Sequence, residues 1–177
     1  MITLRPIGPA DAPAFQAFVQ GLSLASRTNR FLFPVRELAP DLLRVLTEPD
    51  QKRHIALAAL DKDTGSIVGE ARFVALGGSD RAEFALAVAD AWQRQGIGAR
   101  LLAALVTAAR KARVGFLEGE ILHNNNGMLQ FLRATGFRLR SCPGDAHVVL
   151  AELELALAPR INSPLGFFLP STATMPF

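Results

Sequence analysis

The sequence contains no tyrosine and one cysteine, Cys142, among its 177 residues. A single thiol cannot close an internal disulfide, and no mechanism here can use a phenol as proton donor. Histidine is also scarce. His54, His123 and His147 lie far apart, without metal-ligand spacing, so no metal centre is expected. The longest apolar run, around Leu101 to Ala109, is bounded by Arg100 and Arg110 and falls short of the roughly eighteen residues of a membrane span. The opening Met1-Ile2-Thr3-Leu4-Arg5-Pro6 lacks a basic stretch followed by an apolar segment, so neither a secretory signal nor a membrane partner is expected, and the location should be cytoplasmic. Blocks of one charge are missing too. Nineteen basic and sixteen acidic residues give a net charge of +3, with the bases scattered, so nucleic acid is not the expected partner.

What is present is the composition of a folded domain: half the residues are hydrophobic and a fifth are charged. Ile2, Leu4 and Ile7 predict a first strand ending at Gly8-Pro9. Phe15, Phe18, Val19 and Leu22 then recur at helical spacing. Further helices are expected over Ser23 to Phe31 and from Pro40 to before Pro49. From His54 the period changes. Ile55–Leu60 and Ile67–Leu76 read as an antiparallel hairpin, and Glu83–Ala89 as a central strand that is apolar on both faces after its first residue. A loop leads to a long helix, with Ile97, Leu101, Leu105, Ala108 and Ala112 expected on its buried face. A strand from Val114 to Leu122, a short helix from Asn126 to Ala134 and a closing strand pair, Phe137–Arg140 with His147–Leu157, complete residues 1–158 as one domain. Residues 159–177 are expected to form an extended tail, whose Phe167-Phe168-Leu169 docks on the domain or across a homodimer.

The chemistry is written between the fourth strand and the long helix, in Gln93-Arg94-Gln95-Gly96-Ile97-Gly98-Ala99. Glycines let a ligand approach the backbone, and the free N–H groups of the first helical turn attract phosphate. Arg94 and Arg100 could add charge. A dinucleotide fingerprint fits poorly, because its third glycine position holds Leu101 and six residues separate Ala89 from Gly96.

These residues resemble the pyrophosphate loop of the GNAT superfamily of acyl-CoA-dependent N-acyltransferases, in the form Gln/Arg-x-x-Gly-x-Gly/Ala. The order of elements over residues 1–157 is similar to that family's as well. Ser23-Leu24-Ala25-Ser26-Arg27 with Arg30-Phe31, Ala71-Arg72-Phe73, Ala82-Glu83-Phe84-Ala85-Leu86 and Asn125 to Met128 resemble the acetyltransferase domain of bacterial protein lysine acetyltransferases.

The resemblance implies an α/β (α+β) GNAT fold. Its bent, mostly antiparallel sheet would be splayed at the centre, with helices on both faces. Acetyl-CoA would be the co-substrate, its pantetheine lying along Ala87, Val88 and Ala89 and its phosphates on residues 93–100, with Asn125 and Met128 nearby. An N–H near Val88 or Ala89 would meet the oxyanion. Glu83 would be the catalytic base, with Glu118 and Glu120 as competitors or as ligands of the incoming amine. Many GNAT enzymes carry a proton-donating tyrosine four residues before the glycine that follows the last helix. Leu132 stands there, which leaves water or direct release of the thiolate. The expected activity is acetyl transfer to a primary amine, a protein lysine first. A small amine or polyamine, or a non-catalytic acyl-CoA-binding role, is the alternative.

Overall fold

The elements expected from the sequence are present in the computed structural model, which describes residues 1–158, although several strand ends lie up to three residues from their expected places. The elements are β1 (Ile2–Pro6), α1 (Ala12–Gly21), α2 (Leu24–Phe31), α3 (Pro40–Thr47), β2 (His54–Asp61), β3 (Ile67–Ala75), β4 (Arg81–Val88), α4 (Ile97–Lys111), β5 (Phe116–Leu122), α5 (Asn126–Ala134), β6 (Arg138–Cys142) and β7 (Asp145–Glu154). The Ser23 hydroxyl accepts from the Ser26 N–H to cap α2, and Pro40 opens α3. Gly136, at φ +94°, turns the chain out of α5, a conformation a side chain would resist. The tail expected from Pro159 onward lies outside the described residues.

One seven-stranded sheet runs in the order β1-β2-β3-β4-β5-β7-β6. All neighbours are antiparallel except β4 and β5. Side chains alternate across it. One face packs Phe73, Phe84 and Leu117 against α4, while the other packs Ala56, Ala58 and Ala87 beneath Phe15, Phe18 and Val19 of α1. The buried stripe of α4 is Ile97, Leu101, Leu102, Leu105, Val106 and Ala109. Ala112, expected on that face, is exposed, because α4 ends at Lys111 and Ala112 is its C-cap.

The sheet divides at its centre. β5 pairs with β7 along its whole length, Phe116–Leu122, yet with β4 only at Arg81, Ala82 and Glu83. At the fork a Cβ on Gly119 would stand 2.9 Å from the Phe84 ring and 3.1 Å from the Phe84 carbonyl oxygen. Glycine is therefore required there for the two strands to touch before they part.

Candidate active site

Beyond Glu83 the edge of β4 that faces β5 has no strand beside it. The Ala89 N–H donates to the Val68 carbonyl on the β3 side at 2.9 Å. Because these directions alternate, the N–H and C=O groups of Ala85 and Ala87 also face β3, while those of Leu86 and Val88 face the opening. The opening is a cleft of about 580 Å³. Glu83 to Val88 form one wall, the loop before α4 closes one end, and Glu120, Ile121, Asn125, Met128 and Phe131 stand across from them. Ala89 belongs to the sheet bond, so of the two oxyanion donors expected from the sequence only the Val88 N–H faces the cleft.

The loop meets the cleft through its backbone. Arg94 and Gly96 take left-handed conformations, φ +59° and +79°, which turn the chain abruptly into α4. Gly96 offers no capping side chain, so the first N–H groups of the helix are left for a ligand. A Cβ on Gly98 would make only ordinary contacts, 3.8 Å from Leu86 and 3.9 Å from Val88. Packing therefore does not demand glycine at 98, and the space it leaves is cleft. Gln93, Arg94, Gly96, Gly98 and Ala99 line it.

The side chains of three expected loop ligands are employed elsewhere. Arg100 sends Nη2 to the Ile2 carbonyl on β1 at 3.1 Å, Gln95 bonds the Ala91 carbonyl, and the Ile97 side chain is 3% exposed in the core. A helix turns about 100° per residue, so only part of its first turn faces one ligand. Gln93 bonds the Val88 carbonyl at 3.0 Å and the Ser26 hydroxyl at 3.3 Å. Asn125 lines the cleft and also caps α5, its Oδ1 accepting from the Met128 N–H at 3.2 Å.

The glutamates separate clearly. Glu83 and Glu120 line the cleft, and among the described residues neither makes an ion pair. Glu118, expected beside the amine, is instead held 2.6 Å from Arg81, which also takes Glu152 at 2.8 Å. Leu132 is fully buried, and it is Phe131 that faces the cleft.

Two polar networks around the cleft were not anticipated. Asp90 accepts from the Ser23 N–H and hydroxyl at 2.9 and 2.8 Å and from the Ser26 hydroxyl at 2.8 Å, tying α2 to the loop. Desolvation opposes the Asp90 charge, but these donors outweigh it and hold the carboxyl below the usual aspartate range. Deeper, Glu70 is 0% exposed between Arg30 Nε at 2.5 Å and Arg72 Nε at 2.8 Å. Burial alone would raise its pKa. The two guanidiniums outweigh burial and lower it. The signal for this cluster was Glu70-x-Arg72, two charges on one face of an otherwise apolar run.

A splayed β4/β5 pair, a helix start free of capping side chains and an unpaired glutamate in the cleft form an acyl-CoA site in outline. The model of the Acetyltransferase (GNAT) domain matches residues 1–138. This chain belongs to the GNAT acetyltransferase family. It is 31% identical over 158 residues to an acetyltransferase of Pseudomonas aeruginosa, covering 87% of this chain and 84% of that protein. The GNAT domain of S. lividans PAT superposes with a TM-score of 0.79 at 26% identity, over 85% of this chain and 89% of that one. A Salmonella typhimurium protein solved with its cofactor acetyl-CoA shares the fold, with a TM-score of 0.69 at 19% identity over 87% and 94% of the two chains.

As a GNAT acetyltransferase the chain uses acetyl-CoA as co-substrate, and the residues present fit it. The open edge at Leu86 and Val88 can pair with the amide groups of pantetheine as an added strand would. The bare first turn of α4 can take the phosphates. Among the described residues no three His, Cys, Asp or Glu gather in a way that could hold a metal ion. No helix among them is long and apolar enough to cross a membrane.

Proposed function

We propose that this GNAT acetyltransferase moves the acetyl group of acetyl-CoA to a primary amine by direct attack, with a protein lysine as the first acceptor and Glu83 as general base. The observation that carries the reading is Glu83 itself. It stands in the cleft at the closed end of the β4/β5 fork, free of any ion-pair partner among the described residues. An attacking amine must be neutral, whereas a free lysine has a pKa near ~10.4, so a carboxylate that accepts its proton directly or through a water is what the reaction needs. The Val88 N–H faces the same space and can donate to the oxygen on which charge develops. Glu120, across the cleft, is placed to attract the ammonium form. With a fully buried leucine at 132, the CoA sulfur leaves as thiolate or takes its proton from water.

The motifs shared with bacterial protein lysine acetyltransferases, Arg30-Phe31 and Ala82-Glu83-Phe84-Ala85-Leu86 among them, support lysine as acceptor. The test is release of CoA thiol from acetyl-CoA in the presence of lysine peptides, folded proteins and polyamines. Acetylation of lysine side chains, located by mass spectrometry, is expected. Thiol release with polyamines alone would overturn the lysine assignment and leave a small-amine enzyme.

A further inference from the structure

Arg30 is under-used for so buried a residue. Its side chain is 9% exposed, and its guanidinium donates through Nε alone, to Glu70. Nη2 is buried without a hydrogen-bond partner, and Nη1 has no protein partner among the described residues. A guanidinium has five N–H donors, and each one buried and unmade is costly. The charges agree. Arg30 and Arg72 surround one carboxylate, Glu70, while burial and the Arg72 charge hold His54 toward its neutral form. Asp50 acts on His54, but among the described residues Glu70 is the one carboxylate paired with either guanidinium, so the Arg30–Glu70–Arg72 trio carries one net positive charge, and Arg30 lines the cleft.

The register says how far this charge lies from the base. Glu70 is the cross-strand partner of Ala87, and Glu83, Ala85 and Ala87 share one face of β4. Four residues at a rise of roughly 3.3 Å separate Glu83 from Ala87 by about 13 Å. Glu83, Ala85 and Arg30 all line the cleft, with Phe31 beneath the Arg30 guanidinium at 4.7 Å. The gap suits a chain of lysine side-chain length.

We propose that Arg30 anchors a carboxylate of the acceptor: the preferred acceptor is a primary amine with a carboxylate about one lysine side chain away from the nitrogen. The carboxylate enters the cleft beside Phe31, accepts from Nη1 of Arg30 and balances the surplus charge, leaving the amine at Glu83. This rests on the amine-acetyltransferase reading above and narrows its acceptor. Two sources offer the same chemistry, the α-carboxylate of a free ω-amino acid and an acidic residue beside a peptide lysine.

Matched pairs of acceptors test it: 6-aminohexanoate against hexylamine, lysine against lysinamide, and a peptide with glutamate beside its lysine against the same peptide with glutamine. In thiol release from acetyl-CoA, the carboxylate member should have at least about tenfold higher kcat/KM, chiefly through KM, because charge-assisted hydrogen bonds are the strong ones. The pair with the larger ratio identifies the source. Arg30→Gln should bring the ratio to about one, and Arg30→Lys should keep part of it. Should Arg30→Gln fail to fold, the wild-type ratio and Arg30→Lys still decide. Neutral amines used as well as their carboxylate partners would sink this inference alone. A preference that survives in Arg30→Gln would sink it too, as would loss in that variant of thermal stabilisation by acetyl-CoA, which would place Arg30 on the cofactor. No thiol release with any pair would overturn the amine reading together with this one.

Discussion

Glu83, Glu118 and Glu152 stand side by side across β4, β5 and β7, followed by Arg138 on β6. Residue type alone cannot tell these carboxylates apart; their partners can. Arg81, two residues before Glu83 on the same face, pairs with both Glu118 and Glu152, and Arg138 and Arg140 add to Glu152 at 3.1 and 3.4 Å. The Glu152 carboxyl is accordingly held below its usual range, chiefly by its hydrogen bond from Arg81. Glu83 keeps its charge for a ligand. Glu83→Gln is expected to lower kcat by about 10² to 10⁴ with a verified amine, while acetyl-CoA still raises the melting temperature as in wild type. Part of the rate should return at high pH, where free amine needs no base. Full turnover in Glu83→Gln together with loss in Glu120→Gln would move the base across the cleft. The prominence of Glu83, a lone charge heading an apolar strand, was readable in the sequence. The capture of Glu118 was not, because it depends on a strand pairing 37 residues apart in the chain, between Arg81 and Glu118.

At the scale of elements, the periodicities were sufficient to locate strands and helices, since alternation and 3.6-residue spacing are local properties. The direction in which a residue of the α4 first turn points is not local. Arg100, two residues after Gly98, lies far enough around the helix to bond β1. Likewise, the fork at Gly119 depends on Phe84 from another strand. Acetyl-CoA at a hundred times its Kd should stabilise the fold by about 2.7 kcal/mol, if it binds only the folded state. Gly98→Glu, which fills the space and adds negative charge where phosphates would lie, should abolish that stabilisation. Arg100→Ala should preserve it. Calorimetry with and without acetyl-CoA reads both, and loss of the shift in Arg100→Ala would return that arginine to the cofactor.

Across the whole molecule, the cleft's face is joined to the core by the Arg30–Glu70–Arg72 cluster. Arg72 also donates to the Leu46 carbonyl at 2.9 Å and lies over the Phe15 ring, so one charged group links α1, α2, α3 and β3. Glu70 binds a proton less readily in the fold than in the unfolded chain, and so does Asp11, which is held down first by its hydrogen bond from Arg5. His54 is also lowered, by burial and then by Arg72. Each group therefore contributes stability that is present above its unfolded pKa and lost as pH falls. Stability should be greatest near neutrality, begin to decline below about pH 6.5 as unfolded His54 takes up its proton, and fall more steeply below about 4.5 through the carboxylates. Glu70→Gln leaves two buried arginines facing a neutral amide. It is expected to cost about 3 to 5 kcal/mol and to lower the melting temperature by roughly 10 °C for a domain of this size. It should also flatten the steep acid limb, since Glu70 no longer titrates. Denaturant unfolding of both proteins from pH 3 to 8 reads the loss and the slope together. A Glu70→Gln protein with wild-type stability at pH 7 would mean that the surplus charge of Arg30 and Arg72 is already compensated within the chain, and the carboxylate proposed beside Arg30 would lose its electrostatic reason.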